Sequence, residues 1–270
     1  MHEWPLLIFT LLLQGAVGLT LFLSLKPCCG NVSDGEQKRL LLPVFSACVM
    51  AGCGLLASVF HLGYPLNAFN ALRHISSSWL SREIVFASLF LAAAGISLLA
   101  LLFKRRLWKG FIPLALLLGL IDVFCMSEIY IHTSVATWMH FNTLVMFYGS
   151  VGIIGAVMAS LLLSPSNARM SRLMVVIIVG VVLVRLLTQI PYMTWLSEAG
   201  LNDALTFPHN PLAAFHATSY VRLTGWVLSV VGACAFVGGV FRARKGSLFL
   251  GGAMLVVAEV LLRFAFFSIS

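Results

Sequence analysis

Charge is what this chain has least of. Acidic residues number 9 and basic residues 17 in 270, together 10% of the sequence. A soluble domain carries about 25%, so there is too little polar surface here to face water on every side. Cysteine lacks pattern. Cys28, Cys29, Cys48, Cys53, Cys125 and Cys234 include no Cys-x-x-Cys pair and no four-ligand spacing for zinc or an iron–sulfur cluster. Cys28-Cys29-Gly30 therefore reads as two ordinary loop cysteines and a glycine. No basic stripe interleaved with aromatics is present, which excludes nucleic acid as a partner in spite of a net charge of +8. The opening His2-Glu3-Trp4-Pro5 is not basic and no small-x-small site follows the first apolar run, so no signal peptide is expected. Internal repeats and inter-domain linkers are missing too, which predicts one domain over 1–270.

What is present is apolar, 60% of all residues. A spanning helix needs about 20 apolar residues in succession. Eight runs qualify: 5–25, 41–60, 84–103, 110–130, 142–163, 173–190, 222–241 and 248–267. The predicted fold class is an all-α integral membrane protein, an eight-transmembrane-helix bundle in the lipid bilayer. Of the 17 basic residues, those in alternate connections form one set: Lys26, Lys38, Arg39, Lys104, Arg105, Arg106, Lys109, Arg169, Arg172, Arg242, Arg244 and Lys245. The positive-inside rule puts that set in the cytoplasm and both termini on the periplasmic side of a bacterial inner membrane. All 7 histidines then fall on the outer side: His2, His61, His74, His132, His140, His209 and His216. Chemistry, if the protein performs any, belongs at that face.

Charges inside spans are costly and face a cavity or a partner. Glu83 opens the third span, Asp122 and Glu128 lie in the fourth, and Arg185 lies about a turn inside the outer end of the sixth. Arg222 opens the seventh. Glu259 and Arg263, four apart in the eighth, share a helix face and are expected to pair. Asp122 is the deepest acid, with Arg185 as its candidate partner. The longest outer connection, 191–221, reads as a solvated connector or as a docking surface or lid, with a short surface helix over 196–205. Gly119, Gly149, Gly152 and Gly155 are placed to let helices approach closely.

The most polar stretch between two apolar runs is 61–84, HLGYPLNAFNALRHISSSWLSREI. Two-electron quinol oxidation asks little of a protein: a slot open to lipid and bases for two ring hydroxyl protons. Histidine suits, because its ordinary pKa of about 6.5 lies near working pH, and a carboxylate takes the second proton. His61 and Glu83 sit at adjacent ends of successive spans and can converge, while Gly63 and Pro65 break the helix and turn the backbone back into the interface. No paired intrahelical histidines suggest haem, since His132 and His140 flank a polar loop. Electrons must therefore pass to another subunit at the outer face. Tyr130, Trp138 and Arg222 are the candidates for the opposite wall of the slot.

The run His61-Leu62-Gly63-Tyr64-Pro65-Leu66-Asn67-Ala68-Phe69-Asn70-Ala71-Leu72, followed by Leu80-Ser81-Arg82-Glu83-Ile84, resembles the membrane-anchor subunit of the dimethyl sulfoxide reductase family. His2-Glu3-Trp4-Pro5-Leu6 is similar as well. Weaker echoes are Tyr130 with Thr137-Trp138, Arg222, and Glu259 with Arg263. The resemblance implies an eight-helix anchor without haem that binds and oxidises menaquinol, with His61 and Glu83 as the quinol-site histidine and glutamate. It implies electron transfer to a four-cluster iron–sulfur subunit and then to a molybdopterin catalytic subunit that reduces an S- or N-oxide. One departure is Glu128, where the family usually has a basic residue before the Ile-Tyr pair. Two other readings are a membrane transporter and a purely structural anchor. Against the first, no inverted-repeat hydropathy and no matched pair of Gly/Pro-broken helices is visible. Against the second stand the outer-face histidines and Glu83.

Overall fold

The computed structural model describes residues 4–29, 39–61, 74–104, 110–163, 168–199 and 211–268, with the backbone alone at 27–29, 60–61, 199, 211–212 and 214. Its helices are α1 (Trp4–Cys29), α2 (Leu41–His61), α3 (Trp79–Lys104), α4 (Phe111–Ile131), α5 (Asn142–Leu162), α6 (Ala168–Ala199), the short α7 (Pro211–Ala217), α8 (Ser219–Phe241) and α9 (Lys245–Phe267). A single 3-10 turn, Ala136–Trp138, lies between α4 and α5. Among the described residues there is no strand, and eight helices, all but α7, are long and apolar enough to cross a membrane.

Several helix boundaries differ from the sequence expectation. α3 begins at Trp79, because Ser78 accepts the Ser81 N–H on its hydroxyl (3.4 Å) and so caps the first turn. Glu83 is thus just over a turn inside α3 rather than its opening residue. α6 runs through Pro191 to Ala199, 32 residues in all, or about 48 Å at 1.5 Å per residue. Arg185 is therefore well inside the helix rather than near its end. Residues 196–199 continue α6 instead of starting a separate surface helix, and 200–205 lie outside the described residues. α1 extends to Cys29, so Cys28 and Cys29 belong to its last turn rather than to a loop.

In a bilayer, neighbouring lipid is as apolar as leucine, so helices associate through close packing rather than through a hydrophobic drive. α1 and α5 are the innermost helices, with 78% and 67% of their spans buried against 28–44% for the rest. They cross at Gly18 and Gly155, where a Cβ on Gly155 would fall 2.5 Å from the Gly18 backbone. Only two hydrogens in place of side chains permit that approach. α8 and α9 form an antiparallel hairpin with rungs at Gly225–Leu262, Gly232–Leu255 and Gly239–Leu248. Gly119 admits Val17 and Phe90, Gly152 admits Val181 and Ile177, and Gly149 admits Arg185. The four glycines named for close approach all serve it.

Candidate functional site

The start of α3, the α4–α5 turn, the end of α6 and the start of α8 lie at one end of the bundle, with His74, His132, His140 and His216. His61 is the last residue of α2. Its side chain, together with Gly63 and Pro65, lies outside the described residues. Glu83 is buried on the inner face of α3, which packs against α4, the helix that carries the equally buried Asp122. Arg82, the next residue back, turns outward instead. It stacks over the Trp79 ring at 4.2 Å and donates to the carbonyls of Ile75 and Ser76. At the end of α4, Glu128 lies 3.3 Å from Nδ1 of His132, one turn on.

Tyr130 and Trp138 come together, edge to face, with ring centroids 5.3 Å apart. They form an aromatic cluster with Phe147, Phe266 and Phe267. Trp138 stacks on Phe266 and donates its Nε1–H to that residue's carbonyl at 2.9 Å. The turn 136–138 is thereby tied to the end of α9. Arg222 belongs to a neighbouring cluster. Its guanidinium lies 3.2 Å over the Phe215 ring, and it donates to the Thr218 hydroxyl. The two clusters meet where Tyr192 donates its hydroxyl to the Thr137 carbonyl at 2.9 Å. His140 packs between Tyr192 and Trp195 and accepts the Asn142 N–H on Nδ1 at 3.0 Å. Burial holds its pKa below the usual 6.5, because a partly desolvated imidazolium loses hydration that nothing nearby replaces.

Deeper in the bundle, a polar network joins α1, α5, α6 and α9. Arg185 donates Nη1–H to Glu259 Oε1 at 2.5 Å and Nη2–H to the Met146 carbonyl, Ser150 and Glu259 Oε2. Ser150 donates to Glu259 Oε2 at 2.6 Å. Arg263 donates to Gln14 (2.6 Å) and Ser150 (2.9 Å), with its guanidinium 4.0 Å over the Phe147 ring. This corrects two expectations. Glu259 makes its ion pair with Arg185 across the bundle, not with Arg263 on its own helix. Asp122 does not take Arg185, and among the described residues neither of its buried oxygens has a hydrogen-bond partner.

Gln14 and Ser150 are the members of this network that the sequence reading missed. Gln14 had a signal, being the one amide side chain in an otherwise apolar first span. Ser150 had none, since a serine in a membrane helix ordinarily bonds its own turn, as Ser150 also does to Met146.

The protein is similar to two subunits of anaerobic dimethyl sulfoxide reductases from Escherichia coli (strain K12). One is YnfH, 37% identical over 165 residues, and the other is the C subunit, 37% identical over 170 residues. Each match covers 60% of the present sequence and 58% of the relative. The C subunit of the anaerobic dimethyl sulfoxide reductase from Haemophilus influenzae is 32% identical over 173 residues, covering 63% of the present sequence and 61% of that protein. The matched region thus spans about three-fifths of the length of these curated relatives. No solved structure matches it. The family model described as DMSO reductase anchor subunit (DmsC) matches residues 1–268. With eight membrane-spanning helices and a family match over almost its full length, this multi-pass protein of the bacterial inner membrane belongs to the DMSO reductase anchor subunit (DmsC) family.

Proposed function

We propose that this protein anchors a respiratory molybdoenzyme and oxidises menaquinol at the periplasmic face. The electrons leave to a four-cluster iron–sulfur subunit and then to a molybdopterin catalytic subunit that reduces dimethyl sulfoxide or another S- or N-oxide. The observation that carries the reading is Glu83, a carboxylate only 5% exposed near the start of α3, beside the connection that His61 begins. A carboxylate is rarely buried without a task, and a quinol hydroxyl supplies one.

In this reading the two ring O–H bonds break as the two electrons depart. His61 accepts one proton on its imidazole and Glu83 accepts the other on its carboxylate, and both then release them to the outer water. Gly63 and Pro65 belong to the slot in this reading. Tyr130 and Trp138 give it an aromatic wall, and Arg222 stands at its outer rim. The experiment is reconstitution of the complete complex with comparison of menaquinol-driven and dye-driven reduction of the terminal acceptor. A complex that runs on dye and, after His61→Ala, still runs normally on menaquinol would remove the assignment.

A further inference from the structure

α3 and α4 run antiparallel, and two contacts fix their register. Trp79 meets Phe124 edge to face, ring centroids 5.9 Å apart. Further in, Phe90 sits 3.1 Å from where a Cβ on Gly119 would be. Glu83 on α3 and Asp122 on α4 both lie between those two rungs, about 6 Å and about 3 Å in from the first at about 1.5 Å per residue. Asp122 is 0% exposed, and both of its carboxylate oxygens are buried without a hydrogen-bond partner among the described residues.

The polar groups on the elements around Asp122 are directed elsewhere. Tyr148 on α5 donates its hydroxyl to the Leu120 carbonyl. Gln14 on α1 is held between Arg263 and Met126. Arg82 on α3 is turned to the surface carbonyls. Cys125, on α4 itself, is a buried thiol and at most a weak donor. Arg185 and Arg263 are committed to Glu259, Ser150 and Gln14. Taking an ionised carboxylate out of water with no donor is prohibitive, and a second acid buried on the helix packed against it adds like-charge repulsion. The pair therefore keeps at least one proton.

We propose that Glu83 and Asp122 form a proton-sharing carboxylate pair in which Asp122 takes up the proton that Glu83 would otherwise have to hold alone. This rests on the reading of Glu83 as a base for quinol. At rest the pair holds one proton and one negative charge. When the quinol O–H bond breaks, its proton binds the Glu83 carboxylate and the proton already shared settles on Asp122. The two electrons pass to the iron–sulfur subunit, and the second quinol proton goes to His61. After the quinone leaves, the added proton returns through Glu83 to the outer water. Asp122 touches no substrate; it is a positioning residue that keeps Glu83 ready to accept.

The test uses the assembled complex in menaquinol-containing proteoliposomes, with Asp122→Asn, Asp122→Glu and Glu83→Gln. In the infrared spectrum of the resting complex, a protonated-carboxyl C=O band is expected that vanishes in D122N and shifts in D122E. Menaquinol-driven turnover in D122N falls by up to about a hundredfold, the low end for one proton-transfer group, and its pH profile moves, while dye-driven reduction is unchanged. If D122N does not assemble, the band shift in D122E carries the test. A D122N complex with the wild-type pH profile and an unaltered carboxyl band overturns the pair. In that case a dead E83Q variant leaves the quinol reading standing. Normal menaquinol turnover by E83Q overturns both.

Discussion

Arg185 on α6 reaches Glu259 on α9 with Nη1 2.5 Å from Oε1, and both side chains are sealed inside the bundle. Removing one member of such a pair strands the other, at a cost of about 3–5 kcal/mol. Glu259→Gln is the sharper case, since it leaves Arg185 and Arg263 without a carboxylate between them. Thermal unfolding in detergent should show E259Q well below wild type. The double replacement Arg185→Leu with Glu259→Leu should recover part of that loss, because it removes the stranded Arg185 while Arg263 stays buried on Gln14 and Ser150.

Menaquinol-driven reduction should fall by about a hundredfold or more in His61→Ala and in Glu83→Gln, the usual contribution of a general base. Dye-driven reduction by the same complexes should be unchanged, which separates loss of quinol chemistry from loss of assembly.

The α1–α5 crossing has no room for a methyl group at Gly18, because the obstructing atoms are the backbone of Gly155 and Val151. Gly18→Ala should therefore cost roughly 3 kcal/mol, the upper end for overpacking, since a backbone cannot rotate away. Gly95→Ala is the matched control. Nothing lies within 4 Å of a Cβ there, and the change should be neutral or slightly stabilising through helix propensity. Unfolding temperatures and yields of folded protein measure both.

Trp138→Phe keeps the ring packing but leaves the Phe266 carbonyl without its indole donor. The expected loss is about 1–3 kcal/mol, read as a lowered unfolding temperature and faster amide exchange near the end of α9.

His140 gives a stability slope on the acid side. Its pKa in the folded protein lies below 6.5, so the unfolded state binds the proton first as pH falls. Stability should be full above the ordinary histidine range and decline as pH drops toward the folded value. Unfolding temperature against pH should lose that component in His140→Gln.

Sequence alone determined the architecture and the family. A span of about 20 apolar residues is a one-dimensional property, so the second and fifth spans, read as 41–60 and 142–163, match helices at Leu41–His61 and Asn142–Leu162. The 61–84 block carried the family resemblance, because motif identity also needs no third dimension. Helix ends were less legible. α3 starts five residues early because a serine hydroxyl caps it, and α6 runs through a proline that marks a break in water but is tolerated among packed membrane helices. Charge pairing was decided only by the tertiary structure. The four-residue spacing of Glu259 and Arg263 offers a partner within one helix. The real partner, Arg185, arrives from α6 beside Gly149, where any side chain would overlap its guanidinium. The burial of Glu83 and Asp122 on packed helices has the same origin: the register between two helices is set by which side chains interdigitate, and hydropathy along either helix does not contain it.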